Sequence, residues 1–314
     1  MNKIFQLSKR WLNILSGKST VAIKQGAGKC YAKESIRGYY NDLTGKVSPS
    51  TLLDKNGTPV NIVSSGERVY SLVTIMQYAL GCYDLYLLEN NEAYLEQFLK
   101  LVNYILEHQG KNGKWDARAS IGSSKGNSSC MVQGQGCSIL LRAYKMTNDF
   151  RYFQAAQKAI SFMLLPCNQG GTTVYRGDSI SFEKYPPQDG VISSVLNGWI
   201  FAMFGLYDYV LCTDSSEYRD ILERSCRTLE SKLLQYDRRF WSNYDLTGTI
   251  ASPAYHSAHV SLLSVMAELV GSRTMQSYAK RFESYEKSPL NYMRAVVIKI
   301  AQKLTHPADS FFVQ

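Results

Sequence analysis

The sequence predicts an all-α protein, an α/α toroid left incomplete at about four helical hairpins, with an irregular N-terminal arm and terminal amphipathic helices. Three observations lead there. Helical periodicity sets in near Val69 and runs almost to the C-terminus. The connections alternate between very short turns and long loops, as in a chain of antiparallel hairpins. Segments 130–146 and 191–211 carry few charges, whereas 92–109 shows a polar face of Glu92, Glu96, Lys100, Asn103 and Glu107. Odd helices are therefore expected inside and even helices outside. Three regions follow: an arm over 1–68, the toroid over 69–288, and a basic helix and tail over 289–314.

At the N-terminus Lys3, Lys9 and Arg10 interrupt Ile4, Phe5, Leu7, Trp11, Leu12, Ile14 and Leu15. A terminal helix packed on the domain, or a frayed end, is favoured over a basic helix lying on a membrane. No signal peptide or membrane span is expected. Residues 25–68 contain Gly26-Ala27-Gly28, Asn41-Asp42, Pro49 and Asn56-Gly57, which read as an irregular arm or a short hairpin. The helices are expected at 69–89, 92–109, 130–146, 149–165, 191–211, 216–236, 254–270 and 274–287. A last amphipathic helix, Leu290 to Leu304, is expected to dock on the toroid in preference to a membrane.

If the helices run up and down, the long loops 110–129, 166–190 and 237–253 all emerge at one end. The N-termini of the odd helices point the same way, so their positive dipole ends converge where an anion would bind. The 191–211 helix is the most apolar of the set, with Val195, Leu196, Trp199, Ile200, Met203, Phe204 and Leu206 around it. Asn197 inside it needs a partner or a polar cavity.

Lys and Arg outnumber Asp and Glu by 35 to 26 over 314 residues, and 22 tyrosines add hydroxyls, which favours an anionic partner. Nucleic acid is set aside, because no zinc-finger spacing, RNP-type motif or Lys/Arg cluster beyond short pairs such as Arg238-Arg239 occurs. Anionic lipid and an acidic polysaccharide or lipid-linked glycan remain. Seven cysteines without a Cys-x-x-Cys pair read as reduced thiols, hence a cytoplasmic protein, with contact to the inner membrane face and self-pairing left open.

The first long loop carries Trp115 and Arg118, suited to stack on and pair with an acidic sugar, and Gln133 and Gln135 place amides near the mouth. For Gln135, close packing of a helix start is an equal reading. The second loop supplies Glu183, Lys184 and Tyr185, ended by Pro186-Pro187. The third supplies Trp241, Asn243, Tyr244 and Asp245, and the next helix opens with Tyr255, His256 and His259. The His-x-x-His spacing lacks the zincin glutamate and further ligands, so no metal is assigned. Tyr185, Tyr244 and Tyr255 are thus brought to one end, although each tyrosine alone is more readily a core residue than a functional one.

Several motifs occur in a fixed order: Gln133-Gly134-Gln135, Arg142-Ala143-Tyr144, Tyr185-Pro186, Leu196-Asn197-Gly198, Gly205-Leu206-Tyr207-Asp208, Tyr244-Asp245-Leu246 and Tyr255-His256. This series, from about Tyr70 to Ser288, resembles the C-terminal catalytic domain of the D-glucuronyl C5-epimerases, the heparosan and heparan sulfate enzymes. The resemblance implies a helical toroid that binds a uronic-acid polysaccharide, with tyrosines and a nearby glutamate moving protons. By position it implies catalytic roles for Tyr185, Tyr244 and Tyr255. The family's pattern has a glutamate directly before the Tyr-Pro tyrosine, where this chain has Lys184 with Glu183 one place earlier, and Thr247 stands where a basic residue is expected.

Inverting C5 of a uronate removes a carbon-bound proton and returns one to the opposite face, so two proton-transfer groups are needed and no redox cofactor is. Tyr255 is expected as one group and Tyr185 or Glu183 as the other. Tyr244, Lys184, Asn197, His256 and His259 would position the sugar or its carboxylate. A uronate lyase, which shares the C5 carbanion, and a non-catalytic glycan-binding protein are the alternatives.

Overall fold

The computed structural model describes residues 23, 25–63, 65–117, 128–187 and 190–305. Arg118 and, apart from Ile23, the amphipathic segment expected over 1–24 lie outside them.

Four hairpins form the body. They are α1 (Leu72–Glu89) with α2 (Glu92–Glu107), α3 (Cys130–Thr147) with α4 (Phe150–Leu164), α5 (Leu196–Thr213) with α6 (Ser216–Tyr236), and α7 (Pro253–Val270) with α8 (Arg273–Glu286). All four turns use one device. The chain leaves the first helix through a left-handed residue, Asn90, Asn148, Asp214 or Gly271, at φ of 51°, 56°, 51° and 72°. Asn, Asp and Gly tolerate that conformation best. The next residue, Asn91, Asp149, Ser215 or Ser272, caps the second helix, and three of these side chains accept an N–H of its first turn.

The helices α1, α3, α5 and α7 pack side by side in an inner row, each backed by its partner outside, as expected. Every residue of α3 from Cys130 to Ala143 is buried. The closest approach is between α3 and α5, where a Cβ on Gly205 would sit 2.3 Å from the Gly134 carbonyl oxygen. Two side-chain-free positions let these backbones touch.

The row is open between α1 and α7, and the arm closes it. Tyr39, Tyr40 and Leu43 are buried in the main core. Tyr31 donates to Glu268 near the end of α7 at 2.7 Å, and Ser261 donates to the Gln25 carbonyl. Beneath the arm, Arg142 of α3 and Asp208 of α5 form a fully buried ion pair at 2.6 Å. Asp208 also accepts from Tyr40, while Arg142 donates to the Gly38 carbonyl. Removing one member of such a pair strands a buried charge, at a cost of about 3–5 kcal/mol. The arm is thus a floor of the toroid as well as an irregular segment. It includes the expected short hairpin, β1 (Asn61–Ile62) against β2 (Arg68–Val69).

Two boundaries depart from expectation. The second long loop contains an antiparallel hairpin, β3 (Thr173–Arg176) with β4 (Ser179–Phe182), turned at Gly177-Asp178. Helix α5 starts at Leu196 rather than 191, because Ser194 takes φ +44° and directs Val191 to Val195 into the loop. Beyond the hairpins, α9 (Pro289–Thr305) packs through Ala295, Val296 and Lys299 onto the third loop, α7 and α8. Among the described residues no helix is long and apolar enough to cross a membrane, and all seven cysteines are free.

Candidate active site

The second and third long loops meet over the N-termini of α3 and α5. The Cys130 N–H of α3 donates to the Glu183 carbonyl, and the Leu196 N–H of α5 donates to the Tyr244 carbonyl, both at 3.1 Å. These two N–H groups are therefore capped by loop backbone rather than offered to a ligand, which modifies the expected anion site. What the loops offer is side chains.

The residues that follow β4 decide which ones, and Glu183 and Lys184 leave on opposite sides. Glu183 turns into the protein with no exposed surface. Its carboxylate accepts from the Ser194 N–H and Oγ, each at 2.9 Å, and from Ser193 Oγ at 3.4 Å. Burial raises its pKa, against these hydrogen bonds. Lys184 emerges on the other side and donates through Nζ to the Tyr244 hydroxyl at 3.0 Å.

Around that ammonium stand the three tyrosines. Nζ lies 5.6, 5.5 and 5.6 Å from the ring centroids of Tyr185, Tyr244 and Tyr255. The Tyr185 and Tyr244 hydroxyl oxygens are 3.3 Å apart, and the Tyr244 and Tyr255 rings are 4.9 Å apart. Tyr244 accepts from Lys184, so its own proton is available for Tyr185. Burial, with the neighbouring tyrosines, raises the Tyr244 pKa well above that of a free phenol and keeps it protonated. Tyr185 is half-buried, and Tyr255 is 41% exposed at the rim.

Gly198 makes room for the lysine. A Cβ there would come within 2.6 Å of Lys184 Cβ and 2.9 Å of Cδ, which gives the Leu196-Asn197-Gly198 run a physical reason. Asn197 is buried beside it, and its Oδ1 has no hydrogen-bond partner among the described residues.

The two histidines lie beneath the tyrosines, fully buried. His256 stacks on Trp241 at 3.7 Å and donates from Nε2 to the Phe282 carbonyl at 2.9 Å. A carbonyl only accepts, so Nδ1 bears the lone pair and accepts the Ser242 N–H at 3.1 Å. Burial lowers its pKa to about 4 and keeps the ring neutral. Ser242 Oγ lies 2.7 Å from this Nδ1 and 2.9 Å from His259 Nδ1. The hydroxyl proton consequently goes to His256, His259 donates from Nδ1 to Oγ, and His259 Nε2 is left as a bare lone pair. That nitrogen has no hydrogen-bond partner among the described residues. Burial, reinforced by the nearby Lys184 ammonium, lowers the His259 pKa well below that of a free imidazole and holds the ring neutral.

Other expected contacts fall elsewhere. Trp115 has no exposed surface, packs over Gly136 and donates Nε1 to the Ile105 carbonyl at 2.8 Å. It is a core indole, not a platform for a sugar. Gln133 and Gln135 are fully buried, and the Gln135 amide faces the Tyr39 hydroxyl of the arm. Glu183 is tied to the serine turn and makes no hydrogen bond to the tyrosines. One cation at the site was not anticipated. Lys299 of α9 is buried with its pKa lowered to about 8 by desolvation, donates to the Ile250 carbonyl at 2.6 Å, and lies 5.9 Å from the Tyr244 ring centroid. Its position one turn after Ala295 and Val296 on the packed face of α9 was the available signal. No group of three His, Cys, Asp or Glu able to hold a metal occurs among the described residues.

The chain is similar to several known proteins. The family model described as the D-glucuronyl C5-epimerase C-terminus matches residues 108–284. A D-glucuronyl C5-epimerase of Caenorhabditis elegans is 29% identical over 223 residues, 63% of this chain and 36% of that protein. An uncharacterized protein of Methanocaldococcus jannaschii is 26% identical over 163 residues, 51% of this chain and 52% of its own length. The chain thus spans from about a third to about half of these relatives. Among solved structures, an unsaturated glucuronyl hydrolase specific for heparin aligns at a TM-score of 0.49 and 12% identity, covering 68% of this chain and 62% of its own. A polysaccharide lyase aligns at 0.44 and 12% identity, covering 69% and 58%.

Proposed function

The chain belongs to the D-glucuronyl C5-epimerase C-terminal family, and from that premise we propose that it is a uronosyl C5-epimerase. Its substrate would be D-glucuronate residues in an acidic polysaccharide or its lipid-linked precursor, converted to L-iduronate. The observation that carries the reading is the Lys184 ammonium, placed about equally far from three tyrosine rings of which two reach the opening.

The chemistry runs as follows. Tyr185 in its phenolate form takes the C5 proton, and the electron pair of the C–H bond moves into the carboxylate to give an enediolate. Lys184 pairs with that developing dianion, which is where fixed charge lowers a barrier most. Tyr255 delivers its phenolic proton to the opposite face of C5, and the electron pair returns from the carboxylate to form the new C–H bond. The two tyrosines finish with protonation states exchanged, and the reverse reaction or solvent restores them. Tyr244, held protonated and anchored on Lys184, donates to Tyr185 and sets its orientation. Glu183 serves the fold of the loop and not the proton transfer.

The test is deuterium exchange at C5 in heavy water, begun from heparosan and from an iduronate-containing polymer. Each Phe variant, Tyr185→Phe and Tyr255→Phe, should lose about 10²–10⁴-fold in epimerisation. Tyr185→Phe should block exchange out of glucuronate and Tyr255→Phe exchange out of iduronate. Wild-type rates in both variants would remove the tyrosines from the mechanism. A product absorbing as a C4–C5 double bond would establish the lyase instead, and binding without exchange on a panel of uronans would leave a glycan-binding protein.

A further inference from the structure

Helix α9 turns two faces in opposite directions. Its inner face holds the third loop: Lys299 donates to the Ile250 carbonyl, and Gln302 accepts the Ile250 N–H and donates to the Gly248 carbonyl. Its outer face carries Leu290, Met293, Val297, Ile300 and Leu304, exposed by 78, 59, 60, 40 and 75%. Spacings of three and four residues put all five within an arc of about 80° at 3.6 residues per turn. Isolated apolar residues on a surface need no explanation, but a continuous stripe over the full length of a helix does.

The charge around the stripe selects its partner. Arg294 and Lys303 are exposed and flank it on either side, and α9 contains no acidic residue. Arg294 lies over Phe240, next to exposed Arg239, and Arg238 donates to the same Gly248 carbonyl that Gln302 holds. Of the two carboxylates in the last turn of α8, Glu283 is paired with Lys287 at 2.8 Å and Glu286 is half-buried. Packing α9 against a second copy would gather two Arg294 and two Lys303 with no carboxylate from either helix. A surface that is apolar within and anionic at its face meets both features at once.

We propose that α9 is a membrane-docking helix that lies in the headgroup region of an anionic bilayer, with Leu290, Met293, Val297, Ile300 and Leu304 inserted and Arg294 and Lys303 on lipid phosphates. Its inner face carries the segment that follows Tyr244, so docking fixes the tyrosine cluster at a short, constant distance from the bilayer. Substrate still joined to a lipid would be presented there.

The test is sedimentation of the full chain with vesicles of phosphatidylcholine, alone or mixed with phosphatidylglycerol. The wild type should bind the mixed vesicles, lose binding as salt rises, and ignore phosphatidylcholine alone. Met293→Ser/Val297→Ser/Leu304→Ser should bind about tenfold or more weakly, while Arg294→Gln/Lys303→Gln should lose the preference for anionic lipid. All five positions are exposed, so the helical circular dichroism of both variants should match the wild type. Failure of the wild type to bind would overturn the proposal and leave the stripe to a second copy or to residues 306–314. A triple variant that binds as well as the wild type would overturn it too, assigning binding to another segment such as the basic residues 1–22. Vesicle binding needs no turnover, so the outcome is independent of the epimerase reading.

Discussion

Replacing Glu183 separates a structural carboxylate from a catalytic one. In Glu183→Gln the amide oxygen can still accept the Ser194 N–H now 2.9 Å from Oε2. The amide nitrogen would face Ser194 Oγ, now 2.9 Å from Oε1, and that hydroxyl can rotate to accept. What is lost is the extra strength of hydrogen bonds to a charge, and the desolvation that raises the Glu183 pKa is relieved in return. The net cost to stability should be about 1 kcal/mol. Glu183→Ala removes the acceptor altogether, leaves a buried N–H unpaired and opens a cavity, for about 3 kcal/mol. Urea unfolding gives both values, and C5 deuterium exchange normalised to folded protein gives the activity. Exchange should stay within about threefold of wild type in Glu183→Gln, since a lost general base costs about 10²–10⁴-fold. Near-complete loss of exchange with unchanged stability would refute the reasoning and return Glu183 to the chemistry.

Gly198→Ala drives a methyl group into the Lys184 stem, 2.6 Å from its Cβ. The helix gains about 1 kcal/mol from alanine and loses about 1–3 kcal/mol to overpacking, so stability should change little while the displaced ammonium costs exchange about 100-fold. Unchanged kcat/KM would show that the position of Lys184 is immaterial. Beneath the site, burial raises the Asp84 pKa to about 7, although its Oδ1 accepts the Tyr39 N–H at 2.8 Å. A folded pKa above the unfolded one of 3.8 means that stability is complete below about pH 4 and falls as pH rises towards 7. The stability of Asp84→Asn relative to wild type should accordingly increase by a few kcal/mol between pH 4 and 7 and then level off. Measured as a difference, the contributions of His256 and His259 cancel, and a difference that does not vary with pH would refute the assignment.

The hairpins were legible because their signals are local. Apolar periodicity, the two-residue turns and the Ser252 cap before Pro253 each act within a few residues of chain. The β3–β4 hairpin also had a local signal, strand residues on both sides of Gly177-Asp178, but a single expected long loop hid it. The start of α5 was not legible. Apolar Val191 and Val195 continue the helical pattern, and only the hydrogen bonds of Ser193 and Ser194 to Glu183, a tertiary contact, pull them out of it. The same limit applies to Trp115, Gln135, Arg142 and Asp208. Large aromatic and polar side chains read equally as ligands of a sugar or as core groups. The choice is made by the arm, whose Gly38, Tyr39 and Tyr40 meet three of these four residues.

At the site itself, sequence assembled Tyr185, Tyr244 and Tyr255 and left open whether Glu183 replaces a glutamate expected one position later. A one-residue slip along an extended strand would send every side chain to the other face. Here that slip is blocked from two sides. The turn at Ser193-Ser194 presents the Ser194 N–H, which needs an acceptor, so position 183 requires an accepting side chain and would strand a lysine among donors. The space above β4 is shaped by Gly198 for the stem of Lys184, whose ammonium meets Tyr244. Exchanging the two residues, Glu183→Lys/Lys184→Glu, preserves composition and net charge yet should cost more than about 3 kcal/mol, since it buries an ammonium with no acceptor. If the exchanged protein unfolds in urea at the wild-type midpoint, the two positions after β4 are interchangeable and the cation-centred site loses its structural basis. If it is destabilised as expected, the two positions are not interchangeable, and the fold itself sets the Lys184 ammonium, rather than a carboxylate, against Tyr244.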